Sequence, residues 1–328
     1  MKNKPIIIVS GEPYSVFSEI FFKLLKSSLY KKYKRPIILI GSYKLLKMQM
    51  EKMNFSFRFN LINKKNIKNT KLDKNNINLI DVNLKFVKPF GKITSRSSKY
   101  ITQCFNIAMK IMKEKIGFAL INGPVSKKYF LNGKYKGITE YLAKKTKKQN
   151  NEVMLIYNKS LAVCPITTHI PLKDVAKKIS AKSIQKKIIS INNFYISKLK
   201  KKPSIAVTGL NPHCESNFKN SEEKNIIIPA IKKVKKKSIK VQGPFPADTL
   251  FTKNNIKKYD VIIGMFHDQV IGPLKALYNF EAINITIGLP FIRISPDHGP
   301  NDTMLGKKKS DPSSLKEILI FLKKINEN

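Results

Sequence analysis

The sequence predicts an α/β fold with mostly parallel sheets, and two features of the chain carry that prediction. Short runs rich in Ile and Val recur along the 328 residues, and longer amphipathic stretches lie between them. The short runs are continuously apolar, which is typical of parallel strands that are covered on both faces. Their alternation with helical patterns indicates the α/β class.

The individual elements follow from the same periodicities. The strand pattern occurs at Ile6–Val9, Pro36–Ile40, Phe118–Asn122, Val153–Tyr157, Leu161–Thr167, Ser204–Thr208, Asp260–Gly264 and Ala282–Ile287. Helical periodicity occurs at Ser15–Lys34, Ser97–Lys115, Asp174–Lys198 and Ser221–Lys237. Residues 62–78 are rich in Asn and Lys, which favours a solvated loop.

The net charge of +42 raises nucleic acid or an anionic membrane as a partner. Only four of the 63 basic residues are Arg, whereas phosphate and base recognition favours the bidentate guanidinium. Residues 243–306 hold five basic and six acidic residues, so the excess lies elsewhere in the chain. We therefore expect neither a nucleic-acid nor a membrane partner and interpret the lysines as a compositional background. A basic nucleic-acid-binding protein stays open as a distant alternative.

The apolar segments and the cysteines indicate a cytoplasmic protein. The apolar run near the start, Ile6–Val9, is too short for a signal peptide, and no segment reaches the length of a membrane span. Cys104, Cys164 and Cys214 are odd in number and far apart. This spacing favours neither disulfides nor a zinc module built on cysteine.

Three of the four histidines follow predicted strands. His169, His213 and His267 come after Leu161–Thr167, Ser204–Thr208 and Asp260–Gly264. A single loop histidine is more often hydrogen-bonded to backbone, but ligands of open parallel sheets bind beyond the carboxyl ends of strands. Three such imidazoles favour a catalytic divalent metal, which nearby Asp248 and Asp268 could support.

A second group of residues indicates an anion site. The segment Gly123–Lys127 follows a predicted strand and can present donors at a helix start, although such a segment alone is usually just a turn. Lys275, Asn284 and Arg293 add donors in the charge-neutral segment. Arg293 is the only Arg after position 96, which suggests bidentate binding of phosphate or carboxylate, with a structural salt bridge as the alternative. Neither a GxGxxG fingerprint nor a P-loop is present.

Six motifs in one order make the family recognisable: Ile166–Leu172, Gly209–His213, Gly243–Phe251, Met265–Gln269, Asn284–Arg293 and Asp297–Gly299. With them the chain closely resembles the 4-hydroxythreonine-4-phosphate dehydrogenases of pyridoxal phosphate biosynthesis. The resemblance implies a two-domain α/β/α fold like that of isocitrate and isopropylmalate dehydrogenases. It divides the chain into a first domain of residues 1–125 plus 285–328 and a second of residues 126–284.

The resemblance also implies a mechanism and a homodimer with its site at the interface. The substrate 4-phosphooxy-L-threonine is oxidised at its 3-hydroxyl by NAD or NADP, and the 3-keto acid decarboxylates to 3-amino-2-oxopropyl phosphate. His169, His213 and His267 are implied as ligands of a divalent metal, with His267 from the other subunit. Zinc, cobalt, manganese and magnesium all stay open.

The remaining implied site residues contact the substrate. They are Thr139, Lys275, Asn284 and Arg293, and the catalytic base stays open between Lys127 and Asp248. The residues that bind the dinucleotide are not identified by any motif.

Two departures from the family pattern keep a sibling activity open. The family's Gly-His-Thr-Glu motif is here Gly137-Ile138-Thr139-Glu140, so one polar substrate contact is missing. The stretch Tyr14–Glu19 replaces a glycine-containing loop. A dehydrogenase of a sugar-acid phosphate, such as threonate or erythronate 4-phosphate, is therefore the alternative.

Overall fold

The computed structural model describes residues 4–214 and 219–327 and confirms an α/β fold with mostly parallel strands. The chain divides into two compact units, Met1–Lys147 with Leu289–Ile320, and Lys148–Gly288 with Phe321–Asn328. Residues 126–147 belong to the first unit in this division. Compactness does not test which parts fold alone, so the domain boundaries expected from the sequence stay a prediction.

The first unit contains six parallel strands in the order β3-β4-β2-β1-β5-β12. These strands are β1 (Ile6–Val9), β2 (Ile37–Gly41), β3 (Phe59–Leu61), β4 (Ile77–Asp81), β5 (Ala119–Asn122) and β12 (Ile292–Pro296). The central strand β1 consists of three Ile and one Val, and none of the four is exposed. Its β-branched side chains fit a sheet that is covered on both faces.

All but the shortest of the first unit's helices bury apolar side chains. The helices are α1 (Phe17–Lys26), α2 (Ser28–Lys31), α3 (Tyr43–Lys52), α4 (Ser98–Lys113) and α5 (Ile138–Lys145). In α4, Ile101, Phe105 and Ala108 recur at helical spacing and are fully buried. Burial of a side chain such as Phe105 stabilises the fold by roughly 1.5–3 kcal/mol.

The second unit contains a mixed sheet in the order β11-β6-β7-β10-β8-β9. Its strands are β6 (Val153–Tyr157), β7 (Ala162–Pro165), β8 (Ile205–Thr208), β9 (Val241–Phe245), β10 (Val261–Gly264) and β11 (Ile283–Ile287). The β7, β10, β8 and β9 neighbours run parallel, whereas β6 is antiparallel to both β7 and β11. The carboxyl ends of β7, β10 and β8 therefore lie side by side.

The helices of the second unit are α6 (Val175–Lys178), α7 (Ala181–Phe194), α8 (Ile228–Lys235), α9 (Ala247–Leu250), α10 (Lys253–Ile256) and α11 (His267–Tyr278). The last helix, α12 (Ser313–Glu327), contributes residues to each unit. A core cluster in this unit includes Val163, Ala206, Ile262 and Leu274, which are fully buried. No helix in the described ranges is long and apolar enough to cross a membrane.

Each of the eight strands expected from the sequence is present, with ends that differ by at most two residues. The strands β3, β4, β9 and β12 are not expected from the pattern. The solvated loop at residues 62–78 is partly wrong, because Ile62 and Ile67 are buried in the core and β4 begins at Ile77. Asn and Lys dominate the composition between these apolar positions, so the apolar positions form no recognisable pattern in the sequence.

Candidate functional site

The three histidines His169, His213 and His267 follow neighbouring parallel strands of the second unit, and we call them the histidine edge. His169 follows β7, His213 follows β8, and His267 begins α11 directly after β10. Because β10 pairs with both β7 and β8, the three segments leave the sheet at one edge. Ligands of open α/β sheets bind beyond this kind of edge.

Two of these rings lie close together. The centroids of the His169 and His267 rings are 5.7 Å apart, with 40° between their planes. An imidazole nitrogen lies about 2.0–2.1 Å from a bound Zn²⁺, which puts two rings on one ion about 5–6 Å apart. The observed spacing fits two ligands of one metal ion.

His267 has a carboxylate partner that suits a metal ligand. Its Nδ1 lies 2.6 Å from Oδ1 of Asp268. A carboxylate on one ring nitrogen fixes the tautomer and leaves the other nitrogen free for a ligand role. Residues 4–214 and 219–327 contain no complete group of three His, Cys, Asp or Glu side chains placed to hold a metal ion.

The turn that carries His213 is held by a buried carboxylate. Oε1 of Glu223 accepts hydrogen bonds from the backbone N–H of Leu210 and of Asn211, at 2.7 and 2.9 Å. Its Oε2 accepts from the Asn211 amide and from the Ser221 hydroxyl. Burial raises the pKa of Glu223, but these hydrogen bonds outweigh it, and the pKa is lowered overall.

One glutamine ties the three strand ends together. Oε1 of Gln269 accepts from Met265 N at 2.6 Å and from the Thr208 hydroxyl at 2.9 Å. Its Nε2 donates to Gly209 O at 2.8 Å. The carbonyl of Met265 accepts in turn from the backbone N–H and the hydroxyl of Thr167, which precedes His169. The backbone leading into each histidine is therefore held in place.

The other expected site residues of the second unit lie on separate elements. Asp248 is exposed on α9, and its carboxylate contributes, after burial and Glu223, to a raised pKa of Cys214 beside His213. Lys275 lies on α11, with its Nζ 5.3 Å from the Phe280 ring centroid. Asn284 lies on β11, and its Oδ1 is shielded from solvent and accepts no hydrogen bond from the described residues.

Arg293 forms a cluster in the first unit with side chains of two other elements. It lies on β12 and is fully buried. Its Nε donates to Asn122 Oδ1 at 2.8 Å, and its Nη1 donates to Thr139 Oγ1 at 3.5 Å. Burial lowers the pKa of Arg293 to about 9, although the Glu140 carboxylate opposes this shift. The side chain is thus a cation at neutral pH.

Two further positions of the first unit differ in character. Lys127 begins a π-helical turn after β5, and its side chain is exposed. Ile138 begins α5, is half-buried and packs against the hydrophobic core of the first unit. Position 138 is therefore occupied by a side chain that contributes to the core and offers no hydrogen bond.

The expected residues divide between the units: the three histidines, Asp248, Lys275 and Asn284 lie in the second, and Lys127, Thr139 and Arg293 in the first. Glu223 and Gln269 were not expected at the site. Both residues are difficult to find from the sequence. An acidic residue such as Glu223 at a helix start usually stabilises the helix itself, and a Gln that follows a His-Asp pair is not part of a distinctive motif.

Comparisons with known proteins agree with one family. A model of the family described as "Pyridoxal phosphate biosynthetic protein PdxA" matches residues 32–320. A 4-hydroxythreonine-4-phosphate dehydrogenase of Sulfurihydrogenibium sp. is 37% identical, covering 98% of this chain and 99% of the relative. A protein of Oceanobacillus iheyensis, named "Putative D-threonate 4-phosphate dehydrogenase", is 33% identical and covers 97% of each chain.

Solved structures give the same result. The crystal structure of 4-hydroxythreonine-4-phosphate dehydrogenase from Klebsiella pneumoniae has a TM-score of 0.83 and 28% sequence identity. It covers 98% of this chain and 99% of its own. The names of these relatives are those of dehydrogenases, and the family expected from the six motifs is confirmed. The chain belongs to the PdxA family of pyridoxal phosphate biosynthetic proteins.

Proposed function

We propose that this protein is a cytoplasmic, NAD- or NADP-dependent dehydrogenase of 4-phosphooxy-L-threonine in pyridoxal phosphate biosynthesis. The substrate would give a hydride from C3 to the dinucleotide and release its hydroxyl proton, and the 3-keto acid would lose carbon dioxide and take up a proton at C2 to give 3-amino-2-oxopropyl phosphate. The observation that carries the proposal is the histidine edge, with His169 and His267 5.7 Å apart. The names of the relatives support the substrate class.

His169, His213 and His267 would hold a divalent metal ion, with zinc, cobalt, manganese and magnesium as candidates. The bound ion would polarise the substrate oxygen and stabilise the negative charge that develops on it. Asp268 would keep the proton of His267 on Nδ1, and Glu223 would hold the turn that presents His213. Asp268 and Glu223 would thus fix the His267 ring and the turn before His213, respectively.

Metal content tests this assignment independently of activity. We expect His213→Ala to lose bound divalent metal in elemental analysis after dialysis. His298→Ala is the matched control, since it removes the one histidine outside the histidine edge. Equal metal content in the wild type and in His213→Ala would contradict the assignment.

The substrate would be bound by cationic side chains and by neutral polar side chains. Lys275 and Arg293 are the cations for phosphate and carboxylate, and Thr139 and Asn284 supply neutral polar contacts. The shielded Oδ1 of Asn284 suits a donor on the substrate, because buried acceptors require one. Lys127 and Asp248 are the two candidates for the base, and both side chains are exposed.

We further propose a homodimer whose active site uses both subunits. The family pattern implies that His267 comes from the partner, whereas His169 and His267 of one chain already lie 5.7 Å apart. Mixing inactive His169→Ala and His267→Ala proteins distinguishes the two arrangements. A site shared between subunits regains activity in mixed dimers, and a site within one chain does not.

A sugar-acid phosphate, D-threonate or erythronate 4-phosphate, is the alternative substrate. Ile138 replaces a polar contact in the substrate motif, and a relative at 33% identity carries a threonate phosphate name. Initial rates of NADH formation with each phosphate, and with unphosphorylated hydroxythreonine, decide between them. Faster turnover of threonate 4-phosphate or erythronate 4-phosphate than of 4-phosphooxy-L-threonine would contradict the leading proposal and support this alternative.

A further inference from the structure

The first unit contains a cavity of about 1040 Å³ at the carboxyl ends of its strands. Pro13 and Tyr14, which follow β1, form part of the lining, and so does the segment from Asn83 that follows β4. The first turns of α4 complete it with Lys99, Tyr100 and Gln103. We call this space the basic cavity. Its size is at the upper end of the range for small-molecule sites.

The lining of the basic cavity is cationic and aromatic. It contains five basic side chains, Lys85, Lys88, Lys92, Arg96 and Lys99, and no Asp or Glu. It also contains the rings of Tyr14, Phe86 and Tyr100. Arg96 is one of only four arginines in the chain. Basic groups around a pocket attract phosphates, and flat aromatic faces bind planar rings.

A second cavity of the same unit is also lined by lysines, so lysines alone do not identify a ligand site in this chain. This cavity of about 780 Å³ lies at the amino ends of the strands and is lined by Lys68 and Lys74 among other lysines, together with Glu114. Its lining includes no Arg and no aromatic ring. The basic cavity therefore differs in its arginine, its three rings and its position at the ligand-binding edge.

The walls of the basic cavity are held by side-chain hydrogen bonds. The Gln49 amide donates to Pro13 O at 3.0 Å and to Pro89 O at 2.9 Å, which ties the segment after β1 to the one after β4. The Ser97 hydroxyl donates to Glu12 Oε1 at 2.7 Å. Tyr14 lies against Gly91, where a Cβ would come within 3.0 Å of its ring. A site with walls fixed in this way loses little entropy when a ligand binds.

We propose that the basic cavity binds the nucleoside diphosphate portion of the dinucleotide that the proposed dehydrogenase uses. Arg96 and Lys92 contact the diphosphate, and the base lies against Phe86, since the Tyr14 ring already packs on Gly91. The chain lacks the glycine fingerprint that binds the phosphates of dinucleotides in other folds. Cationic side chains would therefore bind the diphosphate of the cofactor here. The inference rests on the proposed function for the identity of the whole cofactor, but not for the binding of its nucleotide half.

Calorimetric titration with ADP tests the phosphate contacts without any turnover. We expect Lys92→Gln/Arg96→Gln to bind ADP at least about tenfold more weakly than the wild type, because charged hydrogen bonds are lost. Lys68→Gln/Lys74→Gln removes the same charge from the second cavity and should bind as the wild type does. Equal weakening in both double variants would indicate a general charge effect and overturn the proposal.

Titration of Phe86→Ala tests the ring contact. We expect weaker binding of ADP but unchanged binding of pyrophosphate, since only ADP has a base to stack. If the wild type forms NADH but binds neither ADP nor ADP-ribose, the cavity inference fails and the proposed function stands. If it binds ADP through Arg96 but forms no NADH with either phosphorylated substrate, the proposed function fails and the cavity inference stands.

Discussion

Glu223 shows how a single buried residue can hold a turn of the histidine edge in place. Its carboxylate is completely buried and accepts hydrogen bonds from two backbone N–H groups and two side chains. An ionised acceptor forms stronger hydrogen bonds than a neutral one. The turn that ends in His213 therefore depends on a buried charge.

Glu223→Gln should lower the free energy of unfolding by about 1.5–3 kcal/mol at neutral pH. The amide nitrogen would face the Asn211 and Ser221 donors, which need an acceptor. Because the folded pKa of Glu223 is lowered, its stabilisation is present above the unfolded pKa of about 4.3 and is lost as the pH falls through the folded value. Urea unfolding from pH 7 to acid should show that the difference in free energy of unfolding between the wild type and Glu223→Gln decreases.

Glu222→Gln is the matched control, because Glu222 accepts one hydrogen bond, from the Asn211 amide. It should cost clearly less than Glu223→Gln. An equal loss in the two variants, or a gap that widens in acid, would contradict this account of Glu223.

Arg293 illustrates what a rare residue can reveal. The sequence indicates a geometric need at this position, with bidentate ligand binding or a structural pair as the options. In the structure its Nε and Nη1 donate to Asn122 and Thr139. Lys has one nitrogen at the end of a flexible chain and cannot reproduce this fork. The need was predictable from composition, but the partners were not, since they lie on β5 and α5.

At the scale of elements, local hydrogen bonds decide where helices end. The apolar stripes at 15–34 and 174–198 each suggest one helix, yet α2 and α7 begin anew after Ser27 and Ser180. Each serine side chain accepts from the backbone N–H three residues later, which is the preferred start of a helix. Periodicity identifies the buried face, but the breaks require the turn chemistry as well.

The missed strands have a different cause. β12 contains Arg293 and ends in Pro296, and β9 contains a Gly-Pro pair, so neither has the continuous apolar pattern of β1. Their place is set by the neighbouring strands β5 and β8, with which they pair. Tertiary pairing of this kind is not encoded in a local window.

Gly11→Ala should destabilise the protein by at least about 2 kcal/mol. Gly11 follows β1 with a φ of +77°, and a Cβ there would lie 2.4 Å from Pro124 O. The neighbouring Glu12 N–H donates to that same carbonyl at 2.8 Å, so the two segments cannot easily move apart. Thermal unfolding measures the loss.

Gly133→Ala is the matched control for backbone strain, since Gly133 has a φ of +68° but would place its Cβ in open space. It should cost only about 1 kcal/mol. Similar losses of stability in Gly11→Ala and Gly133→Ala would show that the close approach of a Cβ to Pro124 O does not destabilise the protein.

At the scale of the whole molecule, the charge of +42 is a cost to folding as well as an attraction for anions. Screening shortens from about 30 Å at 0.01 M salt to about 8 Å at 0.15 M. The thermal midpoint should therefore rise over this range in sodium chloride. A midpoint that is constant or falls would mean that the lysines are locally compensated.

Much of the fold and of the histidine edge was predictable, because both depend on local signals. Continuous Ile and Val runs mark the central strands, and histidines after strand ends mark the edge. The supporting residues Glu223 and Gln269 were not, since their bonds join segments that are distant in sequence. Charge balance directed attention to residues 243–306, whereas the basic cavity lies in the lysine-rich remainder.

The rate of NADH formation from 4-phosphooxy-L-threonine, before and after removal of divalent metal, tests the central claim most directly. The account predicts turnover by the wild type, loss with a chelator, recovery on adding back zinc, cobalt, manganese or magnesium, and no turnover by His213→Ala. An undiminished rate in metal-free protein or in His213→Ala would contradict it.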